Sequence, residues 1–133
     1  MHSIQTKIVT ALDMIESNGL VDLGCGLGDI GIILRKNNSK INYYGLDRKV
    51  NAIKAAEFIS RHNNNKFSIG SFESLKLLDA DDYNTLLVIN LAHRHDSKSL
   101  VELIMSNISV NIRYLLIDAI HIEESHNYAH KHT

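Results

Sequence analysis

Apolar residues along the chain recur in two alternating patterns, one typical of helices and the other typical of buried strands. Residues 4–15 follow helical spacing, and Asn18 with the glycine after it offers a stop. Residues 20–23 then form a short apolar run that leads into a glycine cluster. Residues 30–35 return to helical spacing behind Asp29, a candidate N-cap. The first part of the chain is therefore predicted to be helix, strand, glycine loop and helix.

The same alternation continues through the rest of the chain. Further strands are predicted at residues 41–46, 66–69, 85–91 and 113–120, and helical segments at 49–61, 71–78 and 97–107. Strands that alternate with helices favour an α/β fold, in which a mainly parallel sheet is covered on both faces. We expect one domain over residues 1–133, with residues 121–133 as a polar, histidine-rich tail.

Composition and charge narrow the class of protein. The 133 residues are 44% hydrophobic and 22% charged, an ordinary globular mixture for about one domain. The net charge of -1 gives no field that would attract a phosphate backbone, so nucleic acid is not indicated as a partner. With one cysteine, no secretory signal pattern and no apolar run of about 20 residues, we expect a cytoplasmic protein without a membrane span.

The glycine cluster matches two patterns at once. Read from Gly26, it fits the dinucleotide fingerprint G-x-G-x-x-G, with Asp47 about 20 residues further on. Read from Asp22, it is Asp-Leu-Gly-Cys-Gly-Leu-Gly, an acid followed by glycines at alternating positions. This second pattern resembles the first motif of class I methyltransferases, which use S-adenosylmethionine. Both patterns need a strand, a loop and a helix.

The charges around the loop favour the methyltransferase resemblance. A dinucleotide brings a pyrophosphate to the helix N-terminus, where Asp29 would compete with it. The dinucleotide pattern would also place Asp22 inside the strand, where a buried carboxylate is costly unless it is paired. The methyltransferase pattern instead places it at the strand end, facing the ligand. S-adenosylmethionine carries no phosphate and bears a positive sulfonium and ammonium, so acidic residues suit it better. An NAD-binding Rossmann domain stays as an alternative.

The resemblance implies a three-layer Rossmann-like core with about five strands in the order 3-2-1-4-5. It continues at Asp47, which matches the acid that binds both ribose hydroxyls in that family. After strand three the family usually has an aspartate that contacts the adenine amino group, whereas this chain has Ser71, followed by Phe72. The cofactor-binding residues that we predict are Asp22, Gly24, Cys25, Gly26, Gly28, Asp47, Arg48, Ser71, Phe72 and Asn90. Cys25 is interpreted as a small spacer without a chemical role.

The segment after strand four is predicted to face the methyl group. Methyl transfer needs alignment above all, with a base only when the acceptor must lose a proton. His93 lies in this segment and is the candidate catalytic base, while the alternative is a solvated loop histidine. The segment lacks the Asp/Asn-Pro-Pro-Tyr/Phe motif of methyltransferases that hold a planar amino group. The resemblance therefore favours a small-molecule acceptor.

The C-terminal part leads to a second functional hypothesis. Class I methyltransferases commonly add a strand hairpin after strand five, which is not seen here, so a cofactor-binding fragment or subunit that is inactive alone is a second hypothesis. Residues 113–120 would then form an edge strand, covered by a second copy of the chain or by the tail. His126 and His130 would share one helix face, but we predict a solvated tail and no metal site.

Overall fold

The computed structural model describes residues 4–77, 82–89, 97–108 and 112–117. Five strands and four α-helices alternate along this part of the chain, with one 3₁₀ segment between β3 and β4. The strands are β1 (Gly19–Leu23), β2 (Asn42–Asp47), β3 (Lys66–Ile69), β4 (Thr85–Val88) and β5 (Tyr114–Ile117). The helices are α1 (Ile4–Met14), α2 (Asp29–Lys36), α3 (Val50–Ile59) and α4 (Ser97–Asn107), and the 3₁₀ segment is Phe72–Leu77.

The five strands form one parallel sheet in the order β3-β2-β1-β4-β5. This confirms the predicted α/β class and the predicted strand order. The chain winds outward in one direction from β1 to β3 and then crosses back to place β4 beside β1. The order therefore reverses between β1 and β4, and in open α/β sheets a ligand binds at the carboxyl ends of the strands near such a reversal.

Two apolar cores fill the space between the sheet and its helices. Along β1, successive residues point to opposite faces, so Leu20 joins one core and Val21 the other. The first core packs α1 and α2 against the sheet through Ile8, Leu12, Leu20, Ile30, Leu34, Tyr43, Leu87 and Ile89. The second packs α4 and the 3₁₀ segment against the other face through Val21, Leu23, Leu46, Leu75, Tyr83, Leu86, Val88, Leu100 and Ile104. These two cores give the three layers.

The predicted element types are correct in the described residues, but some boundaries differ. The second strand is shifted one residue toward the C-terminus and ends on Asp47 itself. Asp29 is not the N-cap of α2: Gly28 caps the helix in a left-handed conformation with φ of 81°, and Asp29 is the first helical residue. A left-handed cap is readily adopted by glycine and strains a side chain there. Asp29 thus places its charge in the first turn, where the helix dipole favours an anion.

Two predicted segments fall outside the described residues, namely the loop with Asn90 and His93 and the tail from residue 121 onward. The 71–78 segment forms a 3₁₀ helix over Phe72–Leu77. No helix in the described part of the chain is long and apolar enough to cross a bilayer.

Candidate ligand site at the glycine loop

A cleft of about 820 Å³ opens at the carboxyl ends of β1 and β2, beside the point where strand order reverses. The residues after β1, β2 and β3 form its walls, and α4 contributes a further side. Among its lining residues are Gly24, Cys25, Gly26, Leu27, Asp29, Asp47, Arg48, Lys49, Ser71, Phe72, Glu73 and Leu103. Three of these are acidic and two are basic, so the lining of the cleft carries charges of both signs.

The glycines of the loop serve two different purposes. Gly26 has a φ of 58°, and a side-chain carbon added there meets no described atom within 4 Å, because the position opens toward the cleft. Gly28 has a φ of 81°, and a carbon added there would lie 2.7 Å from the Phe67 ring. Gly26 therefore leaves room for a ligand to approach the backbone, whereas Gly28 allows the loop to pack against β3.

Asp47 links the glycine loop to the end of β2 by a hydrogen bond. Its Oδ2 accepts a hydrogen bond from the Gly26 N–H at 2.9 Å, and its Oδ1 accepts one from the Lys49 N–H at 2.9 Å. Next to Asp47, the carbonyl of Leu46 in β2 accepts hydrogen bonds from the N–H groups of both Gly24 and Cys25, at 2.7 and 3.0 Å. Since a carboxylate offers about four acceptor positions, Asp47 retains capacity for the hydroxyls of a ligand.

Asp22 lies behind the cleft. Its side chain is 1% exposed, and β1 holds it between Gly45 and Leu87 of the neighbouring strands. The Tyr43 hydroxyl donates to its Oδ2 at 2.6 Å, while its Oδ1 has no partner in the described residues. Burial raises the pKa of Asp22 to about 7, and the nearby charges of Asp47 and Asp29 add to this effect, while the Tyr43 hydrogen bond opposes it.

This placement differs from the sequence-based expectation for Asp22. We expected the carboxylate at the strand end, facing the ligand, but Leu23 occupies the strand end and lines the cleft. A buried Asp22 was the reason for preferring the methyltransferase pattern over the dinucleotide pattern, yet the carboxyl is buried in this structure as well. Tyr43 makes this burial tolerable by satisfying one of the two oxygens.

Cys25 occupies the narrow space between loop and sheet. It is 5% exposed, and its thiol lies 3.6 Å from the Gly26 carbonyl oxygen. Burial raises the pKa of the thiol, and the charges of Asp22 and Asp47 raise it further. A thiol in such surroundings stays protonated and unreactive at neutral pH, which agrees with its interpretation as a spacer.

The wall after β3 contains a residue that sequence reasoning missed. Ser71 and Phe72 line the cleft as predicted from the resemblance, and Glu73 lies beside them. The Ser71 hydroxyl lies 3.2 Å from the Glu73 carboxylate, to which it donates a hydrogen bond. Glu73 is an acid four residues after the third strand, a signal that the sequence offers, whereas the family motif predicts the contact at the position of Ser71. Leu103, in contrast, is brought to the cleft only by the packing of α4.

The structure brings most of the predicted residues together. Asp22 and Gly28 are outside the cleft lining, and Asn90 and His93 are outside the described residues. The predicted residues that line the cleft are Gly24, Cys25, Gly26, Asp47, Arg48, Ser71 and Phe72. Within the described ranges, no group of three or more His, Cys, Asp or Glu side chains is placed to hold a metal ion.

The fold is similar to those of solved methyltransferase structures. The methyltransferase domain of bacterial CtHen1 superposes with a TM-score of 0.63 at 20% identity, over 85% of this chain and 62% of that one. A protein from Pyrococcus horikoshii gives 0.64 at 16% identity, over 86% and 56%. The plantazolicin methyltransferase BamL, solved with S-adenosylhomocysteine, gives 0.60 at 18% identity, over 80% and 40%.

This chain matches only part of the length of these solved structures, and the sequence identities are low. The chain spans 62% and 56% of the CtHen1 domain and the Pyrococcus protein, and at these identities the likeness concerns the fold. Among curated proteins, no sequence matches the chain significantly. Residues 16–131, which include the glycine loop and all five strands, match the family described as a methyltransferase domain. The chain belongs to this methyltransferase domain family.

Proposed function

We propose that the protein is an S-adenosylmethionine-dependent methyltransferase that acts on a small molecule. The observation that carries the proposal is the cleft formed by the glycine loop and Asp47 at the carboxyl ends of β1 and β2. Membership of the methyltransferase domain family supports the reaction class. BamL, which shares the fold, was solved with S-adenosylhomocysteine, and this supports the class of cofactor.

The residues of the cleft fit such a cofactor. Asp47 has free acceptor positions for ribose hydroxyls, and the open space at Gly26 allows a ligand to approach the backbone. Asp29, Asp47 and Glu73 place negative charge around the cleft, which suits a ligand that carries a sulfonium and an ammonium. We infer that the loop residues 24–27 hold the methionine part, while Asp47, Ser71 and Phe72 hold the nucleoside part.

Methyl transfer from S-adenosylmethionine determines what the residues of the chain must do. The cofactor supplies a methyl group activated by the positive sulfur. Transfer by in-line displacement depends on alignment, so the residues of the cleft act mainly by binding and orienting. A base is required only for an acceptor that must lose its proton. His93, outside the described residues, stays our predicted base.

Apolar side chains in the same cleft support a small, partly apolar acceptor. Leu27 is 47% exposed on the glycine loop and Leu103 is 36% exposed on α4, although both are large apolar residues. Phe72 adds an aromatic side chain to the lining. Ligand sites typically combine such apolar walls with a few polar groups that fix orientation. The net charge of -1 gives no support for a polyanionic acceptor.

A second candidate function is a cofactor-binding domain that needs a further domain or subunit for activity. The coverage of 62% and 56% of the CtHen1 domain and the Pyrococcus protein favours it, because those proteins contain structure that this chain does not match. Both candidates share the same cofactor cleft. They differ in whether the chain transfers a methyl group by itself.

Two measurements test these candidates in order. Isothermal titration calorimetry with S-adenosylmethionine, S-adenosylhomocysteine and NAD is expected to show binding of the first two and not of NAD. Binding of NAD alone would overturn the proposal in favour of a nicotinamide-binding domain. Transfer of a labelled methyl group is then measured against a panel of small hydroxy, amino and thiol compounds. Tight cofactor binding without transfer to any of them would favour the second candidate.

A further inference from the structure

The buried pair of Asp22 and Tyr43 has no assigned task in cofactor binding by direct contact. Asp22 is enclosed within the sheet, yet one of its oxygens, Oδ1, lacks any partner in the described residues. A buried polar atom without a hydrogen bond normally costs about 1 to 3 kcal/mol, so its presence calls for an explanation. The next two residues, Leu23 and Gly24, line the cleft, and Asp22 is therefore close enough in the chain to respond to a charge there.

We propose that Asp22, held by Tyr43, makes the cleft prefer a cationic ligand over its neutral counterpart by giving up a proton when the cation binds. The inference rests on the proposed function, because S-adenosylmethionine and S-adenosylhomocysteine differ by one methyl group and by the positive charge on sulfur. Asp22 thus acts as a specificity-determining residue that senses this charge without touching the ligand.

The surroundings of Asp22 allow both protonation states. Tyr43 donates to Oδ2, so a proton on Oδ1 leaves this hydrogen bond intact. Within the sheet, the register neighbours Gly45 and Leu87 offer no charge. From β2 and α2, the charged groups that act on Asp22 are Asp47 and Asp29, and both are anions.

Electrostatics then gives the direction of the effect. Burial and neighbouring anions disfavour the ionised form of Asp22, and the neighbouring Cys25 thiol and Tyr43 phenol are themselves kept neutral by raised pKa values. A cation in the cleft stabilises the carboxylate through a medium of low dielectric constant, so the proton leaves to solvent. A neutral thioether provides no such stabilisation. Binding of the cation is therefore coupled to proton release, and that of the neutral ligand is not.

Calorimetric titration in buffers of different ionisation enthalpy measures this coupling directly. The parent protein, Asp22→Asn, Tyr43→Phe and Tyr44→Phe are titrated with S-adenosylmethionine and with S-adenosylhomocysteine between pH 6 and pH 8. Subtracting the Asp22→Asn values removes protons that come from the ligands' own amino groups. With a pKa of about 7 for Asp22 in the free protein, the sulfonium ligand should release about half a proton more than the thioether at pH 7.

The variants predict specific changes in affinity and in proton release. The affinity of the parent for S-adenosylmethionine, taken relative to Asp22→Asn, should rise about tenfold from pH 6 to pH 8. Tyr43→Phe removes the hydrogen bond that favours the carboxylate, so its proton release should increase at pH 7 and extend to higher pH. Tyr44→Phe is the control, because the Tyr44 hydroxyl pairs with Ser68 and leaves Asp22 untouched.

Four outcomes overturn the inference. Equal proton release with the two ligands would show that sulfur charge is not sensed, and a release that persists in Asp22→Asn would assign it to another group. If Asp22→Asn does not fold, Tyr43→Phe decides, since an unchanged pH profile there contradicts the role of the pair. Failure of the parent to bind either ligand would instead overturn the proposed function, and this inference with it.

Discussion

The Asp47 carboxylate accepts a hydrogen bond from the backbone N–H of Gly26, so the residue that ends β2 also holds the glycine loop that follows β1. The other carboxylate oxygen accepts from the N–H of Lys49, at the start of the turn into α3. One side chain thereby fixes two segments of the cleft. Substitutions of Asp47 are expected to affect the loop as well as any ligand hydroxyls that bind there.

Asp47→Ala should weaken binding of S-adenosylhomocysteine tenfold or more. The change removes the carboxylate that we propose accepts two charge-assisted hydrogen bonds from ribose, each worth roughly 1.5 to 3 kcal/mol, and it also removes the acceptor of the Gly26 N–H. Calorimetric titration measures the affinity, and thermal unfolding checks the fold. Asp13→Ala, at an exposed position in α1, is the matched control and should bind like the parent. A folded Asp47→Ala protein with parental affinity would refute the ribose assignment.

Gly26→Val should abolish cofactor binding and leave the sheet intact. The new side chain meets no described atom of the protein, but it enters the open space of the cleft and opposes a φ of 58°. Cys25→Ser should be tolerated much better, since serine has nearly the same size. Equal losses of affinity in the two variants, measured by titration, would indicate that the loop matters for folding alone.

Gly28→Ala should act on stability. The added methyl carbon would lie 2.7 Å from the Phe67 ring, at a φ of 81° that strains any side chain. Thermal unfolding should show a lower midpoint than for Gly26→Ala, whose methyl group has open space. A Gly28→Ala protein as stable as Gly26→Ala would show that β3 moves easily away from the loop.

Asp22 should make the ligand-free protein less stable as pH rises. Its pKa is raised from 3.8 to about 7, so the folded chain holds a proton that the unfolded chain has already released. The resulting stabilisation is complete below about pH 4 and is lost as pH rises to about 7. The rise of the pKa from 3.8 to about 7 corresponds to on the order of 4 kcal/mol.

Urea unfolding of the parent and of Asp22→Asn at pH 4 and pH 8 measures this effect. The amide does not titrate, so the variant should gain stability relative to the parent by roughly that amount over the range. Other acids titrate alike in both proteins and cancel in the comparison. A difference that stays constant with pH would show that Asp22 has an ordinary pKa.

The edge of the sheet at β5 should mediate self-association. Among the described residues, β5 pairs with β4 alone, and its Tyr114 and Leu115 are each 36% exposed. Leu116 packs against the core of α1 and α2, so a charge placed there would damage the fold. Leu115→Lys is the better test, because lysine on an exposed edge opposes strand pairing.

Light scattering over a concentration series should show that the parent associates and that Leu115→Lys stays monomeric. Val101→Lys, at an apolar position of α4 that is 46% exposed, is the control for a general gain in solubility. A parent that is monomeric at every concentration would contradict association through this edge.

Local sequence was sufficient to predict the fold class and the order of the elements. β4 is a run of residues that favour a buried strand, and glycines mark the turn after β1, so the types of these elements follow from the local sequence pattern. The strand order came from the resemblance carried by the glycine loop and Asp47, and pairing of the strands confirms it. Periodicity alone would have left several orders open.

The tertiary structure decided which of those residues reach the cleft. Asp22 and Asp47 are both acids near strand ends, but a single residue of register puts Leu23 at the end of β1 and encloses Asp22 under the Tyr43 hydroxyl. The hydrogen bond from the Gly26 N–H to Asp47 joins the loop after β1 to the end of β2, and the packing of α4 brings Leu103 into the cleft lining. Such contacts depend on how the strands and helices pack, a relation between distant segments that no local pattern contains.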